Sequence, residues 1–309
     1  MIKNDPDYPL YHLVAPEGWI NDPNGVTYDP NTGLYHRFYQ YNKFYSSTCN
    51  QQIQTGCSSL NLTTQTGHAR TWGHTVSQDL ATWEDWPGID ADFQWDVISV
   101  WSGNCAILDD GEIVCIYDGV NSNVQFAESA VCAYSRDWIH WEKKLCIGPR
   151  EYPSYASQTQ HDTSIWRNGP NGTWYILSGG CTYNGTNNNA TGLPCKGNGQ
   201  LWKSANLKDF TYVRPITSSG GPGSYWELPY LLPFDKDGQP LDNYHHNAAT
   251  QYVLMFGSNR ENLYWVGKYD NTNHIFTPNN ISSTPKATDS SSYYSFNPHA
   301  TDTKGLNFI

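Results

Sequence analysis

The chain has 309 residues, 38% hydrophobic and 15% charged, a globular composition long enough for one large domain or two small ones. Its formal charge is −11, from 18 Lys plus Arg against 29 Asp plus Glu, which argues against nucleic acid and anionic membrane surfaces as partners, since both select a basic footprint. No run of 18 apolar residues is present to span a bilayer as a helix, so the expectation is a protein acting on a neutral small substrate.

Met1-Ile2-Lys3-Asn4-Asp5 carries no apolar leader. The expectation is nevertheless export, with a leader missing from this sequence, because two other features point to an oxidising route. The eight cysteines form no Cys-x-x-Cys pair, and Asn-x-Ser/Thr sequons stand at Asn61, Asn171, Asn184, Asn189 and Asn280. Cys49 with Cys57, and Cys181 with Cys195, each bracket a polar loop and are the expected local bridges. The 13 Trp and 22 Tyr suit a β-rich core, with sugar stacking as the functional alternative for individual rings.

Along the chain, strand-like runs recur in units. The first unit has a run around Asp22, a second at 33–41, and the turn sequence Ser77-Gln78-Asp79-Leu80-Ala81-Thr82-Trp83. The second has a run around Ser102, another at 112–117, and Ser135-Arg136-Asp137-Trp138-Ile139-His140-Trp141. The third has a run around Asp162, another at 173–177, and Ser204-Ala205-Asn206-Leu207-Lys208-Asp209-Phe210. The fourth has a run around Glu227, another at 251–256, and a weaker turn copy at 269–276. A fifth unit begins near Tyr293-Tyr294-Ser295-Phe296. The shared pattern is Ser, any residue, Asp or Asn, an apolar residue, two variable residues and an aromatic, which reads as a tight hairpin. Four strands per unit, repeated every 60 to 80 residues, predict an all-β propeller, and no long amphipathic helix competes. The first strand of a blade is innermost, so Asp22, Asp162 and Glu227 are predicted to converge at one end of the channel.

Asp22-Pro23-Asn24-Gly25 taken alone predicts a plain turn, since Pro fixes φ and Asn-Gly accepts positive φ. What precedes it, Trp19-Ile20-Asn21, shifts the reading toward a carboxylate aimed into the channel. For Asp162 and Glu227 the bland readings are a strand-ending loop Asp and a blade-edge Glu. His245-His246 follow a polar loop without a carboxylate at ligand spacing, and are read as surface residues. No metal and no cofactor is expected.

With these residues in place, the chain resembles glycoside hydrolase family 32, the invertases, inulinases, levanases and fructan-active enzymes. The shared motifs are Asn21-Asp22-Pro23-Asn24-Gly25, Phe38-Tyr39-Gln40-Tyr41-Asn42, Trp72-Gly73-His74-Thr75-Val76-Ser77-Gln78-Asp79-Leu80, Trp101-Ser102-Gly103 and Trp226-Glu227-Leu228-Pro229, in family order over nearly the whole chain. The resemblance implies a single five-bladed propeller over 1–309, its fifth blade incomplete in this chain and without the family's usual C-terminal β-sandwich. It implies a retaining β-fructofuranosidase on sucrose or a fructan, with Asp22 as nucleophile, Glu227 as acid/base and Asp162 as transition-state stabiliser. Asn21, Gln40, Trp101, Ser102 and His161 would line the fructose pocket, whereas Trp72 fits a core role better. Glu227 would have to be protonated at working pH, by burial or a neighbouring anion. Two departures stand out. His161 occupies the place of the family's Arg before Asp162 and cannot give the same bidentate contacts, and Leu228 occupies the place of a common Cys. A fructosyltransferase using the same double displacement, and a sugar-binding propeller without catalysis, are the alternatives.

Overall fold

The structure is a computed structural model and describes residues 13–16, 18–43, 70–121, 129–148, 161–183, 195–258, 261–280, 284–288, 298–302 and 305–308. It contains four antiparallel four-stranded blades. The first is β1 (Trp19–Asp29), β2 (Leu34–Asn42), β3 (Thr71–Ser77) and β4 (Glu84–Ile89). The second is β5 (Ser99–Ile107), β6 (Ile113–Val120), β7 (Ser129–Ser135) and β8 (Glu142–Ile147). In the third, β9 (His161–Arg167) and β10 (Trp174–Gly179) are followed by a side hairpin, β11 (Cys181–Tyr183) with β12 (Cys195–Gly197), before β13 (Gln200–Ser204) and β14 (Thr211–Pro215) complete the blade. The fourth is β15 (Glu227–Phe234), β16 (Gln251–Ser258), β17 (Glu261–Asp270) and β18 (Ile275–Pro278), with β19 (Lys286–Ala287) added against β17.

First strands pack side by side in blade order, β1 on β5, β5 on β9 and β9 on β15. A further pair, β20 (Pro298–Asp302) with β21 (Gly305–Phe308), begins a fifth unit, and β20 lies beside β1. Residues 293–296, where the fifth unit is expected to start, lie outside the described residues, as do the Cys49–Cys57 bridge and the sequons at Asn61, Asn184 and Asn189. Among the described residues there is no α-helix, only a 3-10 turn at His246–Ala248.

The repeated turn sequence owes its form to local hydrogen bonds. Ser77 Oγ accepts the backbone N–H of Asp79 at 3.1 Å and of Leu80 at 2.8 Å, and Asp79 Oδ1 accepts those of Ala81 and Thr82 at 2.8 and 2.7 Å. Ser135 with Asp137 repeats the arrangement, and Ser204 with Asn206 follows it closely. These bonds hold the next residue left-handed, at φ 62 for Leu80, 64 for Trp138 and 53 for Leu207. In the weaker fourth copy Asp270 Oδ1 still accepts two N–H groups, but the left-handed residue is His274, so that turn closes later. The apolar residue at the left-handed position points inward: Trp138 and Leu207 are buried. Trp138 stacks on His36 of blade I at 3.9 Å and donates Nε1–H to Asp29 Oδ2 at 3.0 Å, joining neighbouring blades.

Aromatic packing fills the spaces between blades. Phe38 and Trp72 pack with Tyr117 between blades I and II, while Trp166, Trp226, Phe256 and Trp265 pack between III and IV. Trp72 is a core residue, as expected. The His245-His246 reading needs correction at its second residue. His245 is exposed and bonds Asp242 at 2.7 Å, whereas His246 is wholly buried, stacked on Trp166 at 5.3 Å. The dipeptide sits at the start of a one-turn helix, which turns one ring out and the next one in.

Disulfides join Cys105–Cys115, Cys132–Cys146 and Cys181–Cys195. The third is the expected loop bridge. The first two join neighbouring strands within blade II, β5 to β6 and β7 to β8.

Candidate active site

Each of the four first strands carries a bulge near its N-terminal end. On β1, Ile20 faces Tyr41 and Pro23 faces Tyr39, so Asn21 and Asp22 together oppose Gln40. On β5, Val100 faces Gly119 and Gly103 faces Tyr117, so Trp101 and Ser102 oppose Asp118. On β9, His161 faces Gly179 and Thr163 faces Ser178, which makes Asp162 the extra residue. On β15, Glu227 faces Gly257 and Tyr230 faces Met255, so Leu228 and Pro229 oppose Phe256. A bulge leaves residues unpaired and re-aims their side chains. Here the bulges of blades I to III carry polar residues from sequence positions far apart, and the bulge of blade IV directly follows Glu227.

The tetrapeptide Asp22-Pro23-Asn24-Gly25 is therefore not a chain-reversing turn. It runs within β1, with Pro23 opposite Tyr39 just past the bulge. Gly25 has φ 51, and a Cβ there would lie 2.6 Å from Cys105 Sγ and 2.9 Å from Phe38 Cδ2, so a side chain is excluded on both counts. Asn24 is buried. Its Oδ1 accepts Gly103 N–H at 3.1 Å and its Nδ2 donates to the Asp22 carbonyl at 3.2 Å, tying the two neighbouring bulges together.

Asp22 is 3% exposed. Its Oδ2 accepts the Ser102 hydroxyl at 2.7 Å, and Ser102 Oγ in turn accepts Gln40 Nε2–H at 2.7 Å. This relay orients the carboxylate with charge-assisted geometry. Asp162 is buried, at φ 50. Its backbone N–H donates to Asp118 Oδ2 at 2.8 Å, and its own Oδ2 accepts the N–H of Leu228 at 3.1 Å. Glu227, at the head of β15, is half-buried next to Leu228. Trp226 anchors this corner, fully buried, stacked on Phe256 at 3.8 Å and donating Nε1–H to the Pro222 carbonyl at 3.1 Å. Burial first, then the charges of Asp162 and Asp22, push the pKa of the Tyr230 phenol well above the usual tyrosine value.

Of the sequence-predicted residues, direct bonds bring Asp22, Gln40 and Ser102 together, and Asp162 reaches the residue beside Glu227. Asn21 is exposed. Trp101 is half-buried, and Arg70 lies 5.7 Å from its ring and 5.4 Å from that of Trp19, forming a rim. His161 pairs through its backbone with Gly179, and its side chain lies outside the described part. Sequence reasoning missed Asn24, Asp118 and Tyr230. Asn24 lay inside the quoted motif but was assigned to turn geometry, and Tyr230 stands one residue beyond the Trp-Glu-x-Pro segment. No set of three or more His, Cys, Asp or Glu side chains among the described residues is arranged to hold a metal.

The model for the glycosyl hydrolases family 32 N-terminal domain matches residues 12–54 and 59–306. An Oryza sativa protein named beta-fructofuranosidase, insoluble isoenzyme 4, is 28% identical over 281 residues, covering 88% of this chain and 42% of its own. A Triticum aestivum protein named fructan 1-exohydrolase w3 is 28% identical over 282 residues, covering 88% and 41%. This chain thus spans less than half the length of these curated relatives. Among solved structures, fructan 1-exohydrolase IIa from Cichorium intybus superposes with a TM-score of 0.73 at 23% identity, covering 96% of this chain and 52% of that one. A fructofuranosidase from Schwanniomyces occidentalis complexed with fructose superposes at 0.67 and 21%, covering 97% and 53%. At these identities the likeness is one of fold.

Proposed function

The chain belongs to glycosyl hydrolase family 32, and on that premise we propose that it cleaves β-fructosidic bonds of sucrose or a fructan with retention of configuration. The observation that supports the reading is the pair of bonded groups at the bulges: Asp22 held by Ser102 and Gln40, and Asp162 bonded to the backbone of Leu228 beside Glu227. Binding a sugar does not require an oriented, buried carboxylate opposite a second acid. Double displacement does.

In this reading Asp22 attacks the anomeric carbon of the fructosyl unit while Glu227 gives its proton to the departing glycosidic oxygen. The Ser102 hydroxyl on Asp22 Oδ2 fixes the carboxylate plane for attack. A covalent fructosyl ester results. Glu227, now ionised, takes a proton from water, which opens the ester and regenerates Asp22. Asp162 bonds fructose hydroxyls as positive charge develops on the ring, and the aromatic rim of Trp19 and Trp101 borders the entrance. No cofactor is invoked. We read 1–309 as one catalytic propeller domain, and the three disulfides support passage through an oxidising, secretory route.

The test is product analysis on sucrose, inulin and levan, using wild type beside Asp22→Asn and Glu227→Gln. Wild type is expected to release fructose, seen first as the β-anomer by NMR, and each variant to lose at least about 10³-fold in kcat. No fructose from any of the three sugars refutes the function, and undiminished turnover in a variant refutes the role of that residue.

A further inference from the structure

The bulges follow a rule from blade to blade. In blade I the residue opposite the bulge is Gln40, and its side chain reaches forward to the bulge residue of blade II, Ser102. In blade II the residue opposite the bulge is Asp118, and its side chain reaches forward to the bulge residue of blade III, Asp162. Asp118 thus holds in blade II the place that Gln40 holds in blade I, but it grips backbone where Gln40 grips a side chain.

What it grips is a strained conformation. Asp162 at φ 50 and Leu228 at φ 46 both sit in the left-handed region, which is uncommon for residues with a Cβ and rarer for Leu than for Asp. The two are linked, because Asp162 Oδ2 accepts the Leu228 N–H. Asp118 Oδ2 accepts the Asp162 N–H at 2.8 Å, and the Thr163 hydroxyl donates to the Ile116 carbonyl at 2.6 Å, so β6 holds β9 on both sides of the left-handed residue. β6 itself is firmly seated. Tyr117 donates its hydroxyl to Asp96 Oδ2 at 2.7 Å, and a Cβ on Gly119 would lie 2.6 Å from the Trp95 carbonyl. Asp118 is fully buried, so its bond to the Asp162 N–H lies out of reach of competing water.

Resting on the fructosidase reading, we infer that Asp118 is a positioning residue: its carboxylate holds Asp162 left-handed, and through the Asp162 carboxylate fixes the head of β15 that carries Glu227. A chain of contacts thereby runs from blade II through III to IV and sets the spacing of the acids without Asp118 touching substrate.

Asp118→Ala and Asp118→Asn are compared with wild type for fructose release from sucrose and for thermal midpoint. Alanine removes the acceptor and is expected to lower kcat on the order of 10²-fold with KM near wild type, the cost of displacing a positioning group by about 1 Å. Asparagine keeps an oxygen at the same reach without the charge, and is expected to recover kcat to within about 5-fold of wild type. Wild-type kcat in the alanine protein, or an asparagine protein no better than alanine, overturns the inference. Should the alanine protein not fold, asparagine decides alone, and less than about one-tenth of wild-type kcat overturns it. If wild type itself releases no fructose, the functional reading fails by that result. The inference is then decided by crystal structures of the variants. Asp162 leaving the left-handed region in alanine but not in asparagine upholds it, and Asp162 remaining left-handed in alanine overturns it.

Discussion

Replacing His246 by phenylalanine is expected to make the protein more stable relative to wild type in acid than at neutral pH. The His246 ring is fully buried between Trp166, 5.3 Å away, and Tyr252, 5.7 Å away, and neither ring nitrogen meets a hydrogen-bond partner. Burial alone lowers its pKa from 6.5 to about 3. The ring is therefore neutral in the folded chain, while in the unfolded chain it takes a proton below pH 6.5. Its contribution to stability is complete above pH 6.5 and is lost as pH falls toward 3. Each unit below 6.5 costs about 1.36 kcal/mol, so moving from pH 8 to pH 5 costs about 2 kcal/mol at this site. Phenylalanine binds no proton and loses that dependence. It also removes buried, unsatisfied polar atoms, worth about 1–3 kcal/mol, against a crowding cost of similar size for the larger ring. The two stabilities should thus lie within about 2 kcal/mol at pH 8, and the variant should gain about 2 kcal/mol on wild type at pH 5. His36 and His74, lowered to about 4 and about 3 mainly by burial, titrate in the same direction in both proteins, so only the difference isolates His246. Urea unfolding at the two pH values, with m-values compared, measures it. An unchanged gap between pH 8 and pH 5 would refute the reasoning, because the ring would then have a polar partner when folded.

Two further outcomes test the frame around the site. Gly25→Ala forces a left-handed alanine whose Cβ lies 2.6 Å from Cys105 Sγ, so urea unfolding should show a loss of about 2–4 kcal/mol. Removing the Cys181–Cys195 bridge by paired alanine substitutions opens a loop with a separation of 14 residues, and should cost about 3 kcal/mol by the same assay, while in reducing buffer the variant and wild type should converge.

The strands and turns were legible because their causes are local. Ser77 and Asp79 satisfy backbone N–H groups two and three residues away, so the pattern identifies the turn wherever it occurs. The bulges were not legible, because a bulge is a relation between two strands. Nothing near Asp118 in the sequence announces that it faces the Trp101-Ser102 bulge, or that Asp162 comes within reach from the next blade. The same limit explains His246, whose burial depends on Trp166 in another blade, and the Asp22-Pro23-Asn24-Gly25 segment, whose turn-forming residues are used inside a strand. Cys105 and Cys115 face each other in register across a hairpin, a signal visible only once the strands are aligned.

A repeated frame must still yield an asymmetric site, and Ser102 shows how. Blades I and III carry a carboxylate at the bulge, whereas blade II carries a hydroxyl within 2.7 Å of Asp22 Oδ2. A carboxylate there would face Asp22 at a distance where two like charges cannot both be ionised, and the pair would share a proton. Blade II's residue must therefore donate rather than repel. Ser102→Ala removes one hydrogen bond to a charged group, worth about 1.5–3 kcal/mol, and should lower kcat/KM roughly 10–100-fold with the fold intact. Ser102→Asp should be far worse than alanine at neutral pH and should recover part of its activity as the pH is lowered enough to protonate the added group. Assayed on sucrose across pH, an aspartate variant equal to alanine at every pH would mean that the charge on Asp22 is not what the hydroxyl protects.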